Sequence, residues 1–230
     1  MSFVLVLLRH GKTSYNVDKK FCGWTDVELG ELGEKEARFA GQLLAKNGFV
    51  FDVAFTSFLK RAIKTTWIVL EELDLFWIPV VKHWRLNERH YGALQGLKHE
   101  EMANKVGADQ VFLWRRSFNV RPPLLDKSDS RNPVNEAKYR SVEPFLLPLG
   151  ESLEDTINRV LPFWFSDIVP VIKSGKRVLI SAHGNSLRAL VKHIEDISDV
   201  EIPKVEIPTA KPLVYELDSN LRPLKKYYLE

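Results

Sequence analysis

The sequence predicts a single α/β domain over residues 1–230, in which helices cover both faces of a mostly parallel central sheet. Short apolar runs that fit buried strands alternate with stretches of helical periodicity, which is typical of this three-layer class. Two of the runs, 3–8 and 177–182, are closely followed by His-Gly. Because open α/β sheets bind ligands at the carboxyl ends of their strands, this edge is the expected functional site.

Composition narrows the possible functions. Lys and Arg exceed Asp and Glu by only 33 to 30, so a positive field requires local clustering, and a nucleic-acid partner is not indicated. The single Cys22 cannot form an intramolecular disulfide, and no apolar stretch reaches the length of a membrane span. The N-terminal apolar run lacks a preceding basic segment and a cleavage site, so we interpret it as a strand and expect a cytoplasmic protein.

The individual elements follow from periodicity and from the residues that end each run. The first half is predicted to contain a strand at 3–8, an ordered loop at 12–29, a helix from Leu32 to Asn47, a strand at 51–55, a helix from the cap Thr56-Ser57 to Leu73, and a strand at 78–81. The second half is predicted to contain an aperiodic stretch at 84–96, a helix at 98–117, an irregular Pro-containing excursion at about 118–150, a helix at 152–172 that Pro162 and Pro170 kink or break, strands at 177–182 and 213–217, and a helix at 187–194.

Arg9, His10 and His183 are the first candidates for chemistry. If the strands that precede them are neighbours, the two imidazoles can face one another, and Arg9 with Arg61 would suit a tetrahedral dianion such as phosphate. A neutral imidazole is nucleophilic near pH 7, so one histidine could accept a phosphoryl group. Taken singly, each residue also fits a structural role, such as a helix cap for His183 or a solvated helix face for Arg61.

Two further charged groups could serve such a reaction. Glu88 is the best-placed carboxylate for moving a proton, and Arg89 beside it favours the ionised form, although a surface ion pair is an equally good interpretation. Arg115 and Arg116 are suited to a substrate carboxylate or second phosphate, or they form a solvated helix end.

These residues lie in motifs that resemble one family over nearly the whole chain. The motifs are Leu-Leu-Arg-His-Gly at 7–11, Phe-Cys-Gly-Trp-Thr-Asp at 21–26, Thr-Ser-Phe-Leu-Lys-Arg-Ala at 56–62, Trp-Arg-Leu-Asn-Glu-Arg-His-Tyr-Gly at 84–92, Trp-Arg-Arg at 114–116 and Ala-His-Gly-Asn-Ser at 182–186. They are similar to those of the cofactor-dependent phosphoglycerate mutases of the histidine phosphatase superfamily, and the motif at 84–92 is the most specific. The resemblance implies a phosphoglycerate mutase-like fold.

The resemblance also implies roles for individual residues. His10 would be phosphorylated by 2,3-bisphosphoglycerate, and Glu88 would donate and accept the proton. His183, Arg9 and Arg61 would stabilise the transferring phosphoryl group. The residues that would line the substrate site are Asn16, Cys22, Gly23, Arg89, Tyr91, His99, Arg115, Arg116, Gly184 and Asn185.

The implied reaction interconverts 3-phosphoglycerate and 2-phosphoglycerate without a metal, in a homodimer or homotetramer. A bisphosphoglycerate mutase or phosphatase is the alternative within the same class. Gly23, where bisphosphoglycerate mutases typically have serine, favours the glycolytic mutase. Cys22 and the run at 97–102 discriminate less between these two enzymes. A catalytically weakened paralogue that binds metabolites or another protein is the alternative from a different class.

Four departures from the family pattern are relevant. Lys12 follows the first motif where the family usually has glutamate, and Ala210 replaces a glycine, at a cost if the backbone φ is positive. His99 replaces a lysine that contacts substrate, so we expect a raised KM that improves as the pH falls toward 6. The chain stops at Glu230, before a tail thought to cover the site, so we expect water to reach phospho-His10 more readily.

Overall fold

The computed structural model describes residues 2–230, and one six-stranded sheet forms its centre. The strands are Phe3–Arg9 (β1), Val53–Thr56 (β2), Val80–Lys82 (β3), Val178–Ala182 (β4), Leu213–Leu217 (β5) and Pro223–Tyr228 (β6). They lie in the order β3-β2-β4-β1-β5-β6; the first four are parallel, and β5 and β6 are antiparallel to their neighbours. The predicted α/β class with a mostly parallel sheet is confirmed.

Helices cover both faces of this sheet. They are Ser14–Val17 (α1), Glu31–Lys46 (α2), Lys60–Glu72 (α3), His99–Val106 (α4), Ala108–Arg116 (α5), Leu153–Phe163 (α6), Val169–Lys173 (α7) and Gly184–Glu195 (α8). Side chains of β1 alternate between the faces, so Val6 and Leu8 pack with α2 and α3, while Leu5 and Leu7 pack with α6 and α8. Burial on both faces explains why β1 is apolar throughout.

Three helix boundaries differ from the prediction for local reasons. α3 begins after Leu59, because Ser57 Oγ accepts the Leu59 N–H (3.1 Å) and lies beside His183 instead of capping a longer helix. Gly107, with φ of +91°, separates α4 from α5, where one helix is predicted. Thr13 begins α1, within the predicted loop, through reciprocal cap bonds with Asn16.

The helix predicted at 152–172 is continuous but changes its hydrogen bonding between its two prolines. After α6, a π-helical segment covers Trp164–Ile168 and leads into α7. Pro170 has no N–H to donate to the preceding turn, and its ring crowds that turn, so a wider π turn fits it without ending the helix. Trp164 and Ile168 remain buried in the core.

The sequence does not predict β6, since its residues are mostly exposed at the sheet edge and form no apolar run. The excursion at 118–150 is irregular, as predicted, with three short 3-10 turns. Tyr139 within it packs against Trp24 and Trp84. Within residues 2–230, the helices are all too short or too polar to span a bilayer.

Candidate active site

Strand register brings the two predicted histidines together. β1 and β4 are parallel neighbours in which Arg9 pairs with Ala182, so His10 and His183 each follow the end of an adjacent strand. The His10 N–H donates to the Ala182 carbonyl oxygen (3.0 Å), and the two imidazole centroids lie 5.0 Å apart. Their exposed fractions are 2% and 0%, so solvent scarcely reaches either ring in the free protein.

Hydrogen bonds fix the tautomer of His10. Its Nδ1 lies 2.7 Å from the Gly11 carbonyl oxygen, and only a protonated Nδ1 can donate to that acceptor. Nε2 is therefore the unprotonated nitrogen, and it accepts a hydrogen bond from Nε of Arg61 (3.3 Å). The lone pair of His10 Nε2 therefore faces the Arg61 guanidinium, which a bound phosphate would also contact.

Burial favours the neutral form of both rings. It lowers the pKa of His10 well below the usual value, and the guanidinium groups of Arg61 and Arg9 lower this pKa further. Burial also lowers the pKa of His183, whose Nε2 lies 2.7 Å from Ser57 Oγ. At pH 7 His10 is a neutral imidazole, which is the nucleophilic form.

Carbonyl groups of the loop after α1 hold Arg61 in place. Its Nη1 donates to Thr25 (3.0 Å) and its Nη2 to Gly23 (2.8 Å). Gly23 has φ of +52°, and a Cβ there would lie 2.2 Å from Oε1 of Gln95, which accepts the Trp24 N–H (2.7 Å). A serine at this position would displace Gln95, so the loop as folded requires glycine.

Glu88 lies in the loop after β3, next to the start of α8. Its Oε1 accepts N–H bonds from Arg89 (2.8 Å) and Asn185 (3.0 Å). Its other oxygen lies 3.6 Å from where a Cβ on Gly184 would be, and the residue lines the pocket described below. One oxygen thus anchors the carboxylate, and Oε2 is the one that can exchange a proton with a ligand.

A buried ion pair that the sequence does not single out supports this loop. Nε of Arg159 on α6 lies 2.6 Å from Oε1 of Glu151. Arg159 also donates to the carbonyl oxygens of Arg85 (2.7 Å) and Glu88 (3.1 Å), and Glu151 accepts the His90 N–H (2.8 Å). The pair therefore fixes the backbone on both sides of the Glu88 side chain.

Arg9 joins β1 to the segment before β5. Its Nη1 donates to the Ile207 carbonyl oxygen (2.8 Å), and its own carbonyl oxygen accepts the Ala210 N–H (2.9 Å). Burial lowers the pKa of Arg9 despite the nearby Glu88. Its Nε is buried without a partner among residues 2–230, and such a donor beside His10 suits an anionic ligand.

A pocket of about 630 Å³ opens beside these groups, and it is strongly cationic. Seven Lys or Arg side chains and two carboxylates line it, although the whole chain carries only +3. Nine of the ten predicted substrate residues are on its wall: Asn16, Cys22, Gly23, Tyr91, His99, Arg115, Arg116, Gly184 and Asn185.

Arg89 is the exception, because it is wholly buried beneath the wall. Its guanidinium lies 4.8 Å from the centre of the Tyr91 ring and donates to Tyr91 Oη (3.1 Å) and to the Arg115 carbonyl oxygen (2.5 Å). The structure gives Arg89 a positioning role for these two neighbours. Its direct contact with substrate stays a prediction.

His99 lies in the outer part of the pocket, with its ring centroid 4.5 Å from that of Phe21. Burial, together with Arg115 and Lys19, lowers the pKa of His99 to about 4. The ring therefore stays neutral at pH 6 in the free protein, which removes the basis for the expectation that KM improves toward pH 6 through protonation of His99. That expectation used the pKa of a free side chain, which does not hold for a half-buried ring near two cations.

The structure also locates the other two substitutions. Nζ of Lys12 pairs with Glu36 of α2 (3.0 Å), so its charge is shared with the helix although Lys12 lines the pocket. Ala210 has φ of +49°, so the strained conformation is present. Its buried methyl group packs in the same cluster as Leu8 and Val214, which offsets part of that cost.

Several site residues are not predicted from the sequence. Arg188 and Glu206 line the pocket, Ser57 contacts His183, and Glu151 with Arg159 supports the Glu88 loop. None lies in a local pattern that indicates chemistry. Within residues 2–230, no three or more His, Cys, Asp or Glu side chains are grouped so as to hold a metal ion.

Solved structures share this fold over almost the full chain. A protein named mycobacterial hydrolase 1 is 24% identical, with a TM-score of 0.74 and coverage of 99% of this chain and 97% of that one. Mycobacterial glucosyl-3-phosphoglycerate phosphatase in complex with VO3 is 23% identical, with a TM-score of 0.73 and coverage of 98% and 97%. An α-ribazole-5'-P phosphatase from Escherichia coli K-12 is 19% identical, with a TM-score of 0.72 and coverage of 100% and 97%.

These identities establish similarity of fold, and a family model establishes membership. The model of the histidine phosphatase superfamily, branch 1, matches residues 5–229. The match includes most of β1, all of β4 and all of the pocket wall. This chain belongs to branch 1 of the histidine phosphatase superfamily.

Proposed function

We propose that this protein transfers phosphoryl groups from small phosphomonoesters through a phosphohistidine at His10. The observation that carries the proposal is the unprotonated Nε2 of His10, held 3.3 Å from Nε of Arg61. Nε2 attacks phosphorus, the bond from phosphorus to the leaving oxygen breaks, and that oxygen takes a proton from Glu88. Arg9, Arg61 and His183 stabilise the charge on the phosphoryl oxygens.

Phosphoglycerates are the substrates that we propose. With its phosphate at His10, a three-carbon phosphoglycerate would direct its carboxylate toward the outer cations, of which Arg115 is one. Once primed, His10 would donate its phosphoryl group to the free hydroxyl of 3-phosphoglycerate and then take the other phosphate from the resulting 2,3-bisphosphoglycerate, which releases 2-phosphoglycerate. The priming donor would be 2,3-bisphosphoglycerate, and the unpartnered Nε of Arg9 fits one of its phosphates. The sequence motifs support this version.

Hydrolysis is the second candidate function. Two of the similar solved structures are phosphatases, and their similarity supports hydrolysis more directly than it supports a mutase. Water would then replace the phosphoglycerate hydroxyl as the acceptor of the phosphoryl group, and Glu88 would act as the base. The two candidates share phosphorylation of His10 and differ in the acceptor of the second step.

Labelling with ³²P-2,3-bisphosphoglycerate tests the shared step. We expect an acid-labile label on the wild type and on the control His193→Ala, which lies on α8 outside the pocket, but none on His10→Ala. A wild type without label would overturn the proposal, and a labelled His10→Ala would overturn the nucleophile. An enolase-coupled assay and a phosphate-release assay then separate mutase from phosphatase, and label with neither activity would indicate the weakened paralogue.

A further inference from the structure

Glu206 is an acidic residue on the wall of a cationic pocket. Its Oε1 lies 2.5 Å from Nη2 of Arg116, one of the two arginines expected to bind the far end of a substrate. The Glu206 side chain is 72% exposed, whereas that of Arg116 is 24% exposed. The carboxylate therefore occupies the position at which an anionic group of a ligand would meet Arg116.

The backbone that carries Glu206 is fixed to the site. Arg9 holds the carbonyl oxygen of Ile207 (2.8 Å), and Tyr228 Oη donates to the carbonyl oxygen of Glu206 itself (3.3 Å). Arg188 donates to the carbonyl oxygens of Ile202 (2.7 Å) and Arg116 (3.3 Å). A ligand can thus displace the Glu206 carboxylate by rotating its side chain, but it cannot easily move the wall.

The remaining outer cations differ in how much charge they can offer. Lys12 is paired with Glu36 (3.0 Å), and Lys20 is paired with Asp18 (3.3 Å). Arg115 and Lys19 form no ion pair with a carboxylate within residues 2–230, and both are close enough to lower the pKa of His99. Around His99 the outer pocket therefore offers one group of available cations, Arg115 with Lys19, and Arg116 adds a second position only when Glu206 leaves it.

We propose that Glu206 is a specificity-determining residue that selects phosphomonoesters with one further anionic group over those with two. This inference rests on the proposed function, because it assumes that the reacting phosphate lies at His10. A phosphoglycerate can place its single carboxylate at Arg115. A bisphosphoglycerate brings an additional dianion, which must displace the Glu206 carboxylate from Arg116 against the repulsion of like charges.

Isothermal titration with three ligands tests this selection. The ligands are inorganic phosphate, 3-phosphoglycerate and 2,3-bisphosphoglycerate, and the variant is Glu206→Gln. We expect the Kd for bisphosphoglycerate to fall about 5-fold, the size of one modest ion pair, the Kd for phosphoglycerate to change less than about 2-fold, and the Kd for phosphate to stay the same. Glu201→Gln is the matched control, because its carboxylate pairs with Lys204 (3.0 Å) outside the pocket.

An unchanged or higher Kd for bisphosphoglycerate in Glu206→Gln would overturn the inference, because the pair would then orient Arg116 for the ligand. An equal gain for all three ligands would also overturn it, since that is a general effect of charge. Adding Arg116→Gln to Glu206→Gln should abolish the gain. The titrations use the His10→Ala background, in which bisphosphoglycerate cannot phosphorylate the protein, so failure of wild-type His10 labelling with this pattern intact would reject the proposed function alone.

Discussion

Gly23 links the loop backbone to the arginine that faces His10, so we expect Gly23→Ala to lower both stability and activity. Any residue with a Cβ lowers the free energy of unfolding by about 1 kcal/mol at this positive φ. Its methyl group would also push Gln95 away from the buried Trp24 N–H, at about 1–3 kcal/mol. Displacement of the Gly23 carbonyl would loosen Arg61, and kcat should fall about 10-fold or more.

Gly175→Ala is the matched control for this variant. Gly175 has φ of +88°, and a Cβ there would have no neighbouring heavy atom within 4 Å, so this variant isolates the backbone cost. Urea unfolding should show a larger loss for Gly23→Ala than for Gly175→Ala, and kcat should fall only in the former. Equal losses would mean that Gln95 moves away freely.

At the scale of single residues, the sequence predicts what lies in short motifs and overlooks what depends on distant contacts. His10, His183 and Glu88 stand beside recognisable neighbours, so their candidacy could be argued without a structure. Glu206 pairs with Arg116, which is 90 residues away in the sequence, and Arg159 pairs with Glu151, which is 8 residues away. No local sequence pattern indicates either contact. The pKa of His99 likewise depends on burial that the sequence does not reveal.

Helix α6 positions the loop that carries Glu88, and we expect Arg159→Gln to show this. Removal of one partner from the buried pair with Glu151 should cost about 3–5 kcal/mol of unfolding free energy. The freed carbonyl oxygen of Glu88 should let the carboxylate shift, so kcat should fall more than KM rises. Arg159→Lys should restore part of both losses.

Arg121→Gln is the control, because Arg121 pairs with a residue of the same helix. It breaks an exposed pair with Asp155 of α6, which should cost less than about 1 kcal/mol and leave kcat unchanged. Urea unfolding and steady-state kinetics on the folded protein make the comparison. A destabilised Arg159→Gln with normal kcat would reduce the pair to a purely structural role.

Element types were predictable where patterning is strong, as in β1 and α8, and less so where tertiary contacts decide. The strand order and the antiparallel direction of β5 follow from packing partners that periodicity does not name. Because the side chains of β6 are mostly exposed, its sequence has no apolar run that would indicate a strand paired with β5. The prolines at 162 and 170 predict an irregularity, but the π turn and the burial of Trp164 and Ile168, with which the helix continues, depend on the tertiary structure.

The whole molecule should lose stability as the pH falls below about 6.5, because the pKa of every one of its six histidines is lowered. Their unfolded values lie near 6.5, whereas those of His83, His90 and His99 are about 4, 3 and 4 when folded. The unfolded chain therefore binds more protons between pH 6.5 and about 4, and folding is favoured above this window.

Each fully buried histidine should contribute up to about 1.4 kcal/mol per pH unit in that window. Urea unfolding at pH 7.5, 6.5, 5.5 and 5.0 measures the slope, which should be reduced in His90→Gln and nearly unchanged in His193→Gln, whose ring is only half-buried. Stability that stays constant from pH 7.5 to 5.0 would contradict the lowered pKa values. Hydrogen bonds from Arg177 and Arg131 lower the pKa of Asp52 and Asp129 to about 2, and the unfolded value of about 3.9 lies below the pH range measured, so these carboxylates do not interfere.

The homodimer or homotetramer expected from the sequence remains a prediction. Exposed apolar side chains flank the edge strand β3, namely those of Trp67, Phe76, Trp77 and Val81. Such a patch beside an unpaired strand edge is a suitable surface for association.

The cationic pocket also has a consequence for how ligands arrive. Its lining carries seven cationic side chains against two carboxylates, and the whole chain is only +3, so the rest of the protein is net negative. The positive potential is therefore concentrated at the pocket, where it attracts diffusing anions, while the net negative remainder of the surface repels them. The rate of encounter falls as salt shortens the range of this field, to about 8 Å at physiological ionic strength. Capture of ligand is thus a property of the charge distribution of the entire chain.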